Sequence, residues 1–175
     1  YSSELVCDLK RVIQTIVLVP NIGDQERWSY NLRLAYFGAI FINPFVVGCA
    51  GIAEALIHEY YHQRFWQWWA YDPPDGLPAE DQLITSPVTQ RPKPARVMLQ
   101  AFVIYTAVHA FYETQLANHS ARDHQTSKWI GDRTELLARA IVQLHERLRE
   151  VVPEDTRAGA MLDHVRQCSK PLVSA

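Results

Sequence analysis

At 175 residues the chain is long enough for one domain with its own hydrophobic core and short for two. Hydrophobic residues make up 48% and charged residues 21%, which excludes a disordered tail. A net charge of −2 gives no electrostatic reason to expect a nucleic-acid partner or a general attraction to anionic membranes. Cys7, Cys49 and Cys168 are widely spaced and form no CxxC pair, favouring plain thiols in a reducing cytoplasm over a disulfide scaffold or a cysteine-based zinc site. The sequence opens on Tyr1, not Met, and is read as a fragment or a late start of a longer chain, with no secretory signal visible. The most apolar runs, about 44–57 and 97–112, are interrupted by Glu54 and by Gln100 and His109. Both fall short of the roughly 20 apolar residues of a spanning helix, so the protein reads as soluble.

In chain order, residues 4–14 suit a short helix, and the β-branched run that follows suits a strand stopped by Pro20-Asn21. Residues 21–29 read as a turn-rich connection. Residues 32–42, rich in aromatic and branched side chains, predict one or two strands, with Gly38 at a bulge or close approach and Asn43-Pro44 as the stop. A long helix is predicted over 46–69 and is ended by Asp72-Pro73-Pro74-Asp75-Gly76. Residues 71–94 carry six prolines and read as mostly irregular, and a loop of that length in a compact domain tends to be functional or disordered. An almost wholly apolar helix follows over 95–115, then a polar loop over 118–126. Asp132 and Glu135 have the spacing of a capping box, placing the next helix start there. From it Leu137, Ile141, Leu144, Leu148 and Val151 form one apolar stripe, and a last amphipathic helix starts near Asp155. The fold class is α+β: a single domain over 1–175, with a small N-terminal β-sheet followed by mainly helices.

The chemistry concentrates in Ile57-His58-Glu59-Tyr60-Tyr61-His62. Two histidines four apart on a helix rise from the same side one turn apart, so their imidazoles can converge on one ion. Glu59, beside the first, can reach a water on that ion and exchange its proton without ligating. The competing reading is a chance pattern on an amphipathic helix. A strand upstream, small residues at the helix start and the motif's place in the helix middle argue against it, and the arrangement predicted is zincin-like, with the HExxH on a central helix beneath a sheet edge.

The metzincin extension HExxHxxGxxH is absent, since Phe65 stands for its glycine and Trp68 for its last histidine. A gluzincin takes a glutamate from a following helix, and Glu113 suits that role. His109 lies one turn before it on the same face, so either can ligate while the other orients; the plain alternative is a core histidine and a helix-end carboxylate. Phe65, Trp66, Trp68 and Trp69 line a pocket or, more simply, pack in the core. Arg91, Lys93 and Arg96 form a basic group between prolines where Arg91 or Arg96 can fork onto one carboxylate of a dicarboxylic co-substrate; solvated loop charges are the alternative.

Leu56-Ile57-His58-Glu59-Tyr60-Tyr61-His62, Ser86-Pro87-Val88-Thr89, Arg91-Pro92, the apolar helix over 97–111 and the upstream Gly38-Ala39-Ile40-Phe41-Ile42 together resemble the HExxH-domain family found beside peptide natural-product pathways. The likeness covers roughly residues 10–115 and is sharp only at the HExxH. Some members are iron- and 2-oxoglutarate-dependent β-hydroxylases of peptide side chains. The resemblance implies Fe(II) held by His58 and His62, with 2-oxoglutarate as co-substrate gripped by Arg91, and a peptide or carrier-bound amino-acid substrate. Members often carry a histidine in the helix after Arg-Pro, where this chain has Gln100, Phe102 and Val103, with His109 further on. Two reaction classes follow: an Fe(II)/2-oxoglutarate oxygenase with two histidines and a carboxylate around the metal, or, as the alternative, a Zn(II)-dependent peptidase or amidase in which Glu59 activates water. A structural metal is the third reading, but such sites are normally closed by four protein ligands, often cysteines, and none lies nearby.

Overall fold

The computed structural model describes residues 3–19, 29–30, 37–117 and 124–168. The protein is mixed α+β and mostly helical, with two small sheets. It divides into two compact units, residues 1–71 and 72–175.

In the first unit, Leu5, Leu9 and Val12 recur at helical spacing on α1 (Ser3–Val12), which ends where the β-branched run begins β1 (Thr15–Leu18). A sheet of order β1-β3-β2 follows, with β2 at Ser29–Tyr30 and β3 at Ala39–Ile42. β3 lies in the middle, parallel to β1 with Thr15 opposite Ala39 and Leu18 opposite Ile42, and antiparallel to β2. The period-2 alternation of a strand sends Ile40 and Ile42 to one face, both 0% exposed. There they pack with Val12, Ile13, Ala55 and Tyr60 in one apolar cluster. Gly38, at φ +84°, delivers its carbonyl to the amides of both Gln14 and Thr15, and so joins the end of α1 to the start of β3. The predicted turn over 21–29 and the first half of the 32–42 segment lie largely outside the described residues, Ser29 apart. From Pro44 a single helix, α2 (Pro44–Tyr71), runs 28 residues. Pro44 takes the first helical position, where its missing N–H costs nothing, and Asp72-Pro73-Pro74 stops the far end.

The second unit begins with that stop. Asp72 receives two hydrogen bonds from the Arg157 guanidinium (2.8 and 2.6 Å), and Asp75 accepts from the Arg157 amide. The proline-rich stretch, expected to be mostly irregular, carries one piece of regular structure. It contains an antiparallel hairpin, β4 (Leu83–Thr85) and β5 (Pro92–Pro94), with Leu83 opposite Pro94 and Thr85 opposite Pro92. Its turn is held by buried Ser86: the Thr89 amide donates to Ser86 Oγ, the Gln90 amide to the Ser86 carbonyl, and the Ser86 amide to the Arg91 carbonyl. Proline punctuates the hairpin without breaking it because a two-stranded ladder leaves one edge of each strand unpaired.

Three helices complete this unit: α3 (Ala95–Ala117), α4 (His124–Arg149) and α5 (Arg157–Cys168). The predicted start of the fourth helix at Asp132 is wrong by about two turns, since α4 already runs from His124 and Ile130 is fully buried in it. Asp132 and Glu135 sit inside the helix and pair with Lys128 and Arg139 one turn away. The stripe Leu137, Ile141, Leu144, Leu148 is buried to within 1%, and where the chain turns after Arg149 both the expected Val151, half-buried, and Val152, buried, pack at its end. Against it pack Leu99 and Phe102 of α3 and Ala158 and Leu162 of α5. Gly159 lets α5 approach closely, since a Cβ there would stand 2.3 Å from the Pro153 carbonyl oxygen. Among the described residues no helix is long and apolar enough to cross a membrane.

Candidate metal centre

His58, Glu59 and His62 lie in the middle of α2, far from either end. The helix is unbroken there because its only glycines, Gly48 and Gly51, fall near its start. Ile52, Ala55, Leu56 and Tyr60 face the sheet cluster. Periodicity then places Glu59 and Gln63 on the same sheet-facing side, while His58 and His62 occupy the adjoining face.

The two imidazoles point their Nε2 atoms at each other, 3.1 Å apart, with ring centroids 4.7 Å apart and planes at 66°. At metal–imidazole bond lengths of about 2.0–2.1 Å, nitrogens 3.1 Å apart subtend about 95–100° at a shared ion, an angle suited to neighbouring ligands. Imidazole donors of this kind suit zinc and iron alike. Both histidines are half-buried, and Glu59 is 2% exposed. The donors therefore fit a first-row divalent ion, with a carboxylate beside them that is shielded from bulk water.

Contacts that the sequence did not reveal hold this turn of α2 in place. Gln63, 0% exposed, accepts from the Gly38 amide through Oε1 (3.3 Å) and donates through Nε2 to the Ala39 carbonyl (3.4 Å), fastening the residue after His62 to the entry of β3. The Tyr60 hydroxyl donates to Asp8 Oδ2 of α1, and Arg64 Nε lies 3.6 Å from the same oxygen. Burial, then the Asp8 carboxylate, push the Tyr60 hydroxyl well above its ordinary range, so it stays protonated and keeps donating. Burial likewise raises Tyr61. Gln63 carried a signal in principle, since a polar residue seven after Leu56 falls on the buried stripe. The Asp8 contact, 52 residues distant from Tyr60, carried none.

The candidate third ligands and the basic group belong to the second unit. His109 is 2% exposed, with Nδ1 3.5 Å from Glu113 Oε2 one turn later. Burial holds His109 below its ordinary 6.5, and the Glu113 charge opposes that shift, so the imidazole is neutral near pH 7. A carboxylate facing Nδ1 favours the tautomer whose lone pair is on Nε2. Arg91 is exposed at the hairpin turn, Lys93 is exposed on β5, and Arg96 is tied to Glu80 by a short ion pair. Phe65, 6% exposed, meets Trp68 and Trp69 edge-on at 5.9 and 5.6 Å. Of the polar loop, His119, Arg122 and Asp123 lie outside the described residues, and His124 is an exposed first residue of α4. Cys7 and Cys168 are free thiols. Among the described residues no three His, Cys, Asp or Glu side chains gather to hold an ion, so the convergent pair is His58 with His62. No protein-family model and no curated protein matches the chain.

Proposed function

We propose that the chain is a metal-dependent enzyme in which His58 and His62 hold a divalent ion and Glu59 handles a proton beside it. The observation that carries the reading is the 3.1 Å Nε2–Nε2 approach across one helical turn, flanked by a buried carboxylate. The narrower reading is an Fe(II)/2-oxoglutarate oxygenase that hydroxylates a peptide or amino-acid-derived substrate, free or carrier-bound, in natural-product biosynthesis. It rests on the resemblance stated above and on Arg91 as a cation for the co-substrate carboxylate. Glu113 or His109 is the proposed third ligand, the other orienting it. When bound, iron supplies an oxidant able to take hydrogen from a substrate carbon. The chain's own residues do the rest: two imidazoles present their Nε2 atoms, and buried Glu59 accepts or returns a proton.

A zinc hydrolase is the second reading, favoured by Glu59 itself. A buried carboxylate directly after the first histidine is the proton acceptor that hydrolysis of an amide needs. Anaerobic addition of Fe(II) and 2-oxoglutarate separates the two. The weak visible band of 2-oxoglutarate chelated to iron supports the oxygenase; tight zinc binding with no such band overturns it in favour of hydrolysis.

A further inference from the structure

Among the described residues the buried carboxylates are Glu54 and Glu59, 5% and 2% exposed. Both lie within four residues of His58 on α2. Glu59 has a role in the proposed chemistry, and Glu54 as yet has none. A carboxylate is seldom removed from water without a partner that repays its desolvation. Glu54 is four residues before His58, as His58 is four before His62, so Glu54, His58 and His62 rise in consecutive turns along one side of the helix. The His58 ring turns Nε2 toward His62. Its other nitrogen, Nδ1, faces away from that contact across the ring, and Glu54 rises from the turn before His58.

We propose that Glu54 is a positioning residue for the metal site, its carboxylate accepting the Nδ1 proton of His58 and so fixing the ring with Nε2 as the metal-facing lone pair. This rests on the reading of His58 and His62 as metal ligands. A carboxylate behind a ligating histidine fixes its tautomer and raises its basicity. Glu54 does not itself ligate, in keeping with the absence of a three-donor cluster among the described residues. The metal-free pair is then also accounted for. With Nδ1 of His58 protonated, its Nε2 accepts, and His62 donates from Nε2 across the 3.1 Å gap.

Zinc titration of the purified chain and of E54Q and E54A, beside circular dichroism of each, tests the assignment. Loss of a positioning carboxylate lowers metal affinity by about 10-fold to 100-fold, with E54Q at the mild end because its amide oxygen still accepts. Zinc affinity unchanged in a folded E54Q and E54A overturns the proposal and leaves the metal site standing. Where the variants do not fold, nitrogen NMR of the wild-type imidazoles decides: His58 protonated on Nδ1 supports the assignment, and His58 protonated on Nε2 overturns it. Wild-type protein that takes up no zinc, iron or cobalt defeats the metal reading itself, and the tautomer still decides whether Glu54 holds His58.

Discussion

Replacing Gln63 by methionine tests whether the motif turn is held by polar contacts or by shape alone. Gln63 is 0% exposed and spans from the helix to two backbone groups at the entry of β3, the Gly38 amide and the Ala39 carbonyl. Methionine nearly preserves its volume and flexibility, so little or no cavity forms. What changes is that a buried Gly38 N–H loses its acceptor, at a cost of about 1–3 kcal/mol for a stranded donor. The bonds are long, 3.3 and 3.4 Å, which places the expected loss in the lower half of that range, about 1–2 kcal/mol. With a urea dependence of about 2 kcal/mol per molar, the unfolding midpoint should fall by about 0.5–1 M. Tryptophan fluorescence reads this, since Trp66, Trp68 and Trp69 lie on the same helix. Q63A should fall further because it adds a cavity. A Q63M midpoint at or above wild type would refute the reasoning and leave packing as what fastens α2 to the sheet.

His58→Ala and His62→Ala should each abolish stoichiometric metal uptake while the circular dichroism spectrum is retained; undiminished metal content in either removes the site. Glu59→Gln should retain the metal and lose turnover, whereas full activity in that variant excludes Glu59 as the proton carrier. If Arg91 grips 2-oxoglutarate, Arg91→Ala raises the concentration needed for half-maximal rate, and an unchanged requirement removes it. His145 is held below its ordinary 6.5 by burial and by the charges of Arg166 and Arg149, with Asp163 and Glu146 opposing. Its unfolded form therefore binds the proton more readily, so stability present above about pH 6.5 is lost as the pH falls below it. Urea midpoints from pH 7.5 down to 5 should decline, and less steeply in His145→Gln; parallel curves count against the assignment. Gly159→Ala forces a methyl group against the Pro153 carbonyl and should cost about 1–3 kcal/mol in the same urea experiment.

Elements whose pattern is local were legible in the sequence. The β-branched run of β1, the long helix around the motif and the stripe from Leu137 to Leu148 each show within a few residues, and in the stripe burial follows the period. The hairpin over 83–94 was hidden because proline is counted against strands, whereas only one edge of β5 must pair. Asp132 and Glu135 misled because the spacing of a capping box is also the spacing of surface charges that pair along a helix interior. At the candidate site, the convergence of His58 and His62 followed from helical spacing alone. The supports from Asp8, Gly38 and Ala39 arise from tertiary contacts, which a single sequence does not encode in any local period.

The hairpin also limits how this protein can associate. The Ser86 amide bonds to the Arg91 carbonyl, and the Ala95 amide to the Gln82 carbonyl. Alternation along an antiparallel ladder then makes Ile84 and Lys93 the bonded pair between them and turns Pro92 and Pro94 outward. The outer edge of β5 thus carries carbonyls but no N–H at either outward position. A strand arriving from another molecule would find no row of donors to zip onto, and the exposed charge of Lys93 would meet it as well. The prolines that obscured this strand in the sequence close the β5 edge to a further strand and leave that edge a poor template for aggregation.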